Sequence, residues 1–315
     1  MKSIFIKDIK SSDILSQELF AIQNYEKLQT KDGKSYVRLY LIDKTGTITG
    51  NIWADNLANI ERGSLEKGSV IMIDAKAEDF KGVTQLNIQK INKVTEHFVD
   101  DFIEGSQFSQ EELWERLTKH LSNIKNENFK KLIDKLFSDS EIKTRFTYFP
   151  AAEYIHHGFQ SGLLEHVVEM LDISTSMENY YKEANFDIIR TGIIFHDIGK
   201  IFELIRTGVV MERTIEGYLI GHLILSYETL IKFSTGILND DELLALKHVV
   251  LSHHGTREFG SPVIPATLEA TIVYHIDVLS SQTKSLERVT KTKAIDEKGF
   301  TEFDRILGTK VYVGK

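Results

Sequence analysis

The 315 residues contain no cysteine, which excludes disulfides, thiolate nucleophiles and cysteine-based zinc sites together. Any metal must then be held by imidazole nitrogen and carboxylate oxygen. Proline is almost missing as well: Pro150, Pro262 and Pro265 are the only three, which argues against long irregular connections. No apolar run reaches the roughly eighteen residues that cross a bilayer. Nor does the chain open on the basic, apolar and small-residue order of a secretory leader. The expectation is a cytoplasmic protein with no membrane partner.

With 42% hydrophobic and 27% charged residues, the composition is that of ordinary globular protein, and the length suits two domains. The net charge of −8 conceals an uneven split. Residues 1–95 hold 14 Lys and Arg against 12 Asp and Glu, whereas the remainder holds 24 against 34. Two divalent cations in the acidic part would offset about four of those charges, so acidity is weak evidence against a phosphate-bearing substrate.

From Ile4 to about Lys93 the apolar pattern has period two and is broken by turn residues, which predicts strands. The expected strands are 19–28, 36–43, 47–54, 69–78 and 83–92. Lys31-Asp32-Gly33-Lys34, Asp43-Lys44-Thr45-Gly46 and Phe80-Lys81-Gly82 supply the reversals, and 54–66 is richer in helix formers. Five short strands with a helical insertion after the third resemble the oligonucleotide-binding (OB) barrel, in which the face of strands two and three carries the ligand. Alternation puts Val37, Leu39 and Leu41 on one side of the second strand, and Tyr36, Arg38, Tyr40 and Ile42 on the other. In the third strand Thr47, Thr49, Asn51 and Trp53 oppose Ile48, Gly50 and Ile52. Tyr36, Arg38, Tyr40 and Trp53 are therefore candidates for binding nucleic acid by stacking and charge; the competing reading is that Tyr40 and Trp53 pack on the neighbouring domain.

After a linker at about 100–108 the period becomes 3.6. Leu113, Trp114, Leu117 and Leu121 mark a first helix, with Ser109 and Glu112 spaced as a capping box, and Phe129 to Phe137 a second. Further helices are expected over 163–177, 186–196 (stopped by Gly199), 219–233, 241–254 (stopped by Gly255) and 265–282, the last with Pro265 in its first turn. The tail 300–313 reads as a terminal strand or an extended arm.

Nine of the eleven histidines fall between His156 and His275. His166 lies in LLEHVV, His196-Asp197 in IIFHDI, His222 in LIGHLI, His253-His254 in VVLSHHG and Asp277 in VYHIDVL, all apolar settings. Burying these groups in five separate helices is costly unless they converge on common cations, and a helix-bundle interior is a place to build such a site. Seven side chains are more than one ion usually takes from a protein, which points to two ions. His275 sits about 200° from Asp277 on a helix and, like His248, is assigned no ligand role. Donors without thiolate suit manganese, iron, cobalt or magnesium.

The ordered set His, His-Asp, His, His-His, Asp resembles the HD-domain metal-dependent phosphohydrolases of the two-metal kind, over roughly residues 150–285. With the barrel ahead of it and the run HHGFQSGLLEH, the whole chain resembles the YhaM family of 3′-to-5′ exoribonucleases. The resemblance implies that His166, His196, Asp197 and Asp277 hold one ion, that His222, His253 and His254 hold the other, and that Asp197 bridges them. A carboxylate can span ions about 3.5 to 4 Å apart, as two-metal phosphoesterases require. The resemblance also points to manganese, and to Lys200, at HDxxK spacing, as a phosphate-binding cation; its alternative is a helix C-terminal cap. His156 and His157 either meet substrate phosphate and the leaving oxygen or are loop residues.

The expected architecture is thus a multi-domain α and β protein: a small five-stranded OB-like β-barrel (1–95), a helical linker region (96–150), an all-α HD-domain bundle (151–290) and a C-terminal arm (291–315). The expected activity is degradation of single-stranded RNA, and of single-stranded DNA by the same chemistry, to nucleoside 5′-monophosphates. Asp197, Lys200 and His157 are the catalytic candidates, and His156 joins the nucleic-acid contacts. A homo-oligomer is the expected assembly. The rival readings are an HD-type enzyme acting on a small nucleotide and a non-catalytic nucleic-acid-binding protein.

Overall fold

In the computed structural model, residues 2–61, 63–94, 101–103, 105–151, 158–292, 294–305 and 307–314 are described. The chain forms two compact units, residues 1–105 with 206–212, and residues 106–205 with 213–315. No helix among the described residues is long and apolar enough to cross a membrane.

The first unit is a closed barrel of β1 (Ile14–Gln29), β2 (Ser35–Asp43), β3 (Gly46–Ile52), β4 (Val70–Phe80) and β5 (Val83–Lys93), in the order β1-β2-β3-β5-β4. Neighbours pair antiparallel except β3 with β5, which gives the Greek-key closure of an OB-fold. Val37, Leu39, Leu41, Ile48 and Ile52 enter the core with Ile71, Ile73, Leu86 and Ile88, as strand alternation requires. Gly50 sits closely against the barrel core: a Cβ there would stand 2.5 Å from Ile88 Cδ1. The β4–β5 reversal uses Lys81 and Gly82, both at positive φ (57° and 83°), the geometry of a two-residue hairpin turn.

Three features of this unit depart from the sequence-based expectation. β1 begins at Ile14 rather than residue 19, because its pairing with β4 shifts register between Leu15 and Glu18, where Gln17 has φ 56°. A bulge breaks period-two alternation, so this part of the strand does not look like one. The insertion after β3 holds, among its described residues, a 3-10 helix, Ala54–Asn59, and no α-helix. Finally, residues 206–212 belong to this unit; they form most of the hairpin of β6 (Leu204–Thr207) and β7 (Val210–Arg213). Val209 and Val210 join Ala21, Val70 and Phe102 in a second apolar cluster outside the barrel core.

The second unit comprises α1 (Gln110–Ser122), α2 (Glu127–Ser138), α3 (Ser140–Tyr148), α4 (Gly162–Met177), α5 (Phe186–His196), α6 (Lys200–Glu203), α7 (Ile215–Leu219), α8 (His222–Ser234), α9 (Asp240–Ser252) and α10 (Leu268–Thr292). Helices α1 to α3, read from sequence as a linker region, lie within this unit. Leu113, Leu117, Phe129 and Leu132 are buried, Arg116 and His120 both pair with Asp172 of α4, and Asn126 and Asn128 bind Glu242 of α9. Ser109 caps α1 through Glu112 N at 3.1 Å, while the reciprocal capping box belongs to Asn239 and Glu242 at α9.

Two helix starts differ from expectation. α8 begins at His222 because Gly221, at φ 79°, separates it from the short α7. α10 begins at Leu268, beyond Pro265; Thr267 Oγ1 accepts from Ala270 N at 3.2 Å and so acts as its cap. Gly199 does not stop α5 through a left-handed conformation, since its φ is −62°. It is required by proximity: a Cβ at 199 would lie 2.1 Å from the His222 carbonyl oxygen. The tail forms no regular strand among its described residues; it folds back through isolated bridges Ile295–Thr301, Phe300–Tyr312 and Asp304–Thr309.

Candidate metal centre

Five of the seven donor side chains sit where helices begin or end, while His166 and Asp277 lie within α4 and α10. His196 is the last residue of α5 and Asp197 its C-cap, His222 opens α8, and His253 caps α9 with His254 next. The carbonyls in the last turn of a helix lack intrahelical partners, and two are used here. His196 Nδ1 bonds Ile193 O at 2.7 Å, and His253 Nδ1 bonds Val250 O at 2.7 Å. His254 Nδ1 bonds Phe259 O at 2.8 Å, across the turn made by Gly255 at φ 77°. His222 Nδ1 meets Glu203 Oε2 at 3.1 Å, and His166 Nδ1 meets Ser280 Oγ at 3.0 Å. A carbonyl or carboxylate only accepts, so Nδ1 of His196, His222, His253 and His254 carries the proton and Nε2 presents a lone pair.

Those Nε2 atoms converge. His166, His196 and Asp197 form one group of donors and His222, His253 and His254 a second, with the ligand atoms of each within 4.8 Å of one another. Asp277 Oδ1 joins the first group at 3.3 Å from His166 Nε2. Asp197 faces both: Oδ2 lies 3.3 Å from His196 Nε2 and 3.9 Å from His166 Nε2, while Oδ1 lies 3.5 Å from His222 Nε2 and 3.6 Å from His253 Nε2. Asp197 Oδ1 and His253 Nε2 are buried without a hydrogen-bond partner. His222 Nε2 and His254 Nε2, both lone pairs by the tautomers above, stand 3.2 Å apart. Lone pairs aimed at one another and orphaned buried acceptors fit a divalent cation, and the all-nitrogen-and-oxygen donor set suits one.

Electrostatics favours the same protonation states except at His196. Burial opposes ionisation of Asp197, but Lys200 and His196 outweigh it and hold the carboxyl well below its usual range. Asp277 is lowered likewise, burial being outweighed by the bond to His166 and its charge. Burial lowers His253, and burial together with His253 and His222 lowers His254 to about 4. At His196 burial also acts downward, yet the adjoining Asp197 reverses the sign and raises it. Ionised carboxylates and neutral imidazoles are what a metal ion requires.

A pH dependence of the metal-free protein follows. His254 has a folded value of about 4 against 6.5 when unperturbed, so between those values the unfolded chain binds more protons and stability falls as pH is lowered. The limiting slope for one group is about 1.4 kcal/mol per pH unit. His253, lowered by burial, adds a fall of the same sign; His196, raised in the fold, adds nothing variable well below 6.5, and Asp197 and Asp277, lowered in the fold, lose their contribution only below about 3.9. Thermal unfolding of chelator-treated protein at pH 7, 6 and 5 is expected to show a falling Tm, with a smaller fall in His254→Gln; equal falls in both would contradict this origin.

Glu203 and Ser280, which orient His222 and His166, have no spacing relative to the ligands that sequence reasoning could use. The signal for Glu203 is only its place among apolar residues in GKIFEL. Its carboxyl is held low, burial being outweighed by the bond to His222. Glu203→Gln is expected to weaken metal binding by about 10- to 100-fold, the usual effect of removing an outer partner of a ligand histidine; a titration of the metal-free variant with manganese measures it.

Lys200 lies at the start of the four-residue α6, and its Nζ lies 2.5 Å from Asp197 Oδ2. It lines a cavity of about 790 Å³ together with Asp197, His222, His254 and Asp277. His275 is exposed beside Tyr274, and His248 Nε2 accepts from Ala266 N at 2.8 Å. His156 and His157 lie outside the described residues. On the barrel, Tyr36 and Trp53 stack with ring centroids 4.9 Å apart, and Arg38 reaches the Tyr36 hydroxyl at 3.2 Å. Tyr40, on the same face, turns to Glu26 instead, at 3.4 Å.

Residues 163–282 match the HD domain family. The solution NMR structure of the second OB-fold domain of replication protein A from Methanococcus maripaludis aligns with 31% of this chain and 99% of its own, at 19% identity and a TM-score of 0.24. Over 271 residues the chain is 32% identical to the 3′-5′ exoribonuclease YhaM of Geobacillus sp. (strain WCH70), covering 85% of this chain and 82% of that protein. With a relative so similar over most of both lengths, the chain belongs to the YhaM family.

Proposed function

We propose that this protein is a divalent-metal-dependent 3′-to-5′ exoribonuclease that shortens single-stranded RNA, and single-stranded DNA by the same chemistry, releasing nucleoside 5′-monophosphates. The Geobacillus relative is named a 3′-5′ exoribonuclease, and the observation that carries the reading is the Asp197 carboxylate, with one oxygen towards each group of donors. In this reading two ions bind, manganese first among manganese, iron, cobalt and magnesium. His166, His196, Asp197 and Asp277 hold one; His222, His253, His254 and Asp197 hold the other. When bound, the ions supply Lewis acidity and a nucleophilic water at neutral pH.

The chain's own residues do the remaining work. The Nδ1 bonds fix each imidazole plane in advance, so no reorganisation is needed as charge develops. Lys200, in the same cavity as Asp197, brings a cation to the phosphate. The bond formed joins water oxygen to the last phosphorus. The bond broken releases the 3′ oxygen of the preceding ribose, which takes up the proton. The barrel face of Tyr36, Arg38, Tyr40 and Trp53 holds the strand upstream by stacking and charge. A 5′-labelled single-stranded RNA incubated with manganese tests the reading: a ladder shortening from the 3′ end with release of monophosphates is expected. Cleavage only within the strand, or hydrolysis of small nucleotides alone, would contradict it.

A further inference from the structure

The cavity that holds the donor groups has one wall without a role in metal binding. Tyr218 and Leu219 of α7 and Phe259 of the 3-10 turn after α9 line it, yet Tyr218 and Phe259 are each 70% exposed. Large aromatic rings left open to solvent beside Lys200, His222 and Asp277 are poorly explained by packing. They are also held in place. Thr214 caps α7 through Gly217 N at 2.8 Å, and its own N–H bonds Glu203 O at 2.8 Å. A Cβ at Gly217 would stand 2.4 Å from that same Glu203 oxygen, so only glycine lets α7 approach α6 this closely. Tyr218 is thereby registered to Glu203, whose carboxylate orients His222. The Arg213 guanidinium lies 5.3 Å from the Tyr218 ring centroid, and the ring still keeps most of its surface open.

We infer that Tyr218 and Phe259 seat the base of the nucleotide being removed, so that stacking at the cavity wall sets the terminal phosphodiester over the donor groups. This rests on the exonuclease reading above. Because every base has a π-face, the seat accepts all four bases and requires only that one be present.

The test compares kcat/KM for two oligoribonucleotides of the same sequence, one ending in an ordinary nucleotide and one in an abasic residue, for wild type, Tyr218→Phe and Tyr218→Ala. Wild type and Tyr218→Phe are expected to prefer the base-bearing end by roughly tenfold, the size of one base–aromatic stack. In Tyr218→Ala the preference collapses towards one, and Phe259→Ala moves the same way. Wild-type activity with an unchanged preference in both alanine variants overturns this inference and leaves the exonuclease reading standing. No metal-dependent shortening of either oligonucleotide by wild type overturns both.

Discussion

Replacing Asp197 with alanine is expected to reduce 3′-terminal nucleotide release by at least about a thousandfold, roughly 4 kcal/mol of lost transition-state stabilisation. The size follows from position. One carboxylate faces His166 and His196 through Oδ2 and His222 and His253 through Oδ1, so its loss removes a ligand from both groups of donors. It also leaves the ammonium of the buried Lys200 without its carboxylate. Asp197→Asn separates the two effects, since the amide keeps the volume and removes the charge. Both variants should lose activity to a similar extent on end-labelled RNA, while circular dichroism remains that of the folded protein. His196→Ala, which touches one group, should lose less.

The second large effect is expected at Gly199, a residue outside the donor set. A Cβ there would come within 2.1 Å of the His222 carbonyl oxygen and 2.5 Å of Ser226 N, both backbone atoms at the start of α8. Neither can yield without moving the helix. Gly199 N also donates to Ser226 Oγ at 2.8 Å, so the two segments are tied as well as close. Forcing a methyl group into such a contact destabilises by about 1 to 3 kcal/mol, and the displaced element carries His222. Gly199→Ala is therefore expected to lower Tm by several degrees and to weaken metal binding together. A variant with wild-type metal affinity would contradict this placement. Lys310→Ala, an exposed control whose side chain pairs with Asp296 at 3.8 Å, should change neither.

The contrast between these two residues marks what could be read from sequence. The candidate donor set stands out because its members interrupt apolar helical runs, and burial of charge demands a reason. The barrel strands β2 to β5 and helices α4 and α5 follow from periodicity almost to their ends. The role of Gly199 is invisible because it depends on α8 arriving from more than twenty residues away. Glu203 and Ser280 are missed for the same reason: an outer partner of a ligand is chosen by tertiary contact, and no fixed spacing links it to the histidine it orients. The start of β1 is hidden by its bulge at Gln17, and the β6–β7 hairpin by strands only four residues long. Gly221 and Thr267 show how a single residue moves a helix start by several positions, which decided that His222 opens a helix instead of lying within one.

In the proposed centre Asp197 is the shared ligand of two ions. Counting tightly held metal per chain by elemental analysis, after loading with manganese and exhaustive dialysis, tests it most directly. Two ions are expected in wild type, one in His196→Ala and none in Asp197→Ala. An Asp197→Ala protein that still retains an ion with wild-type affinity would contradict it.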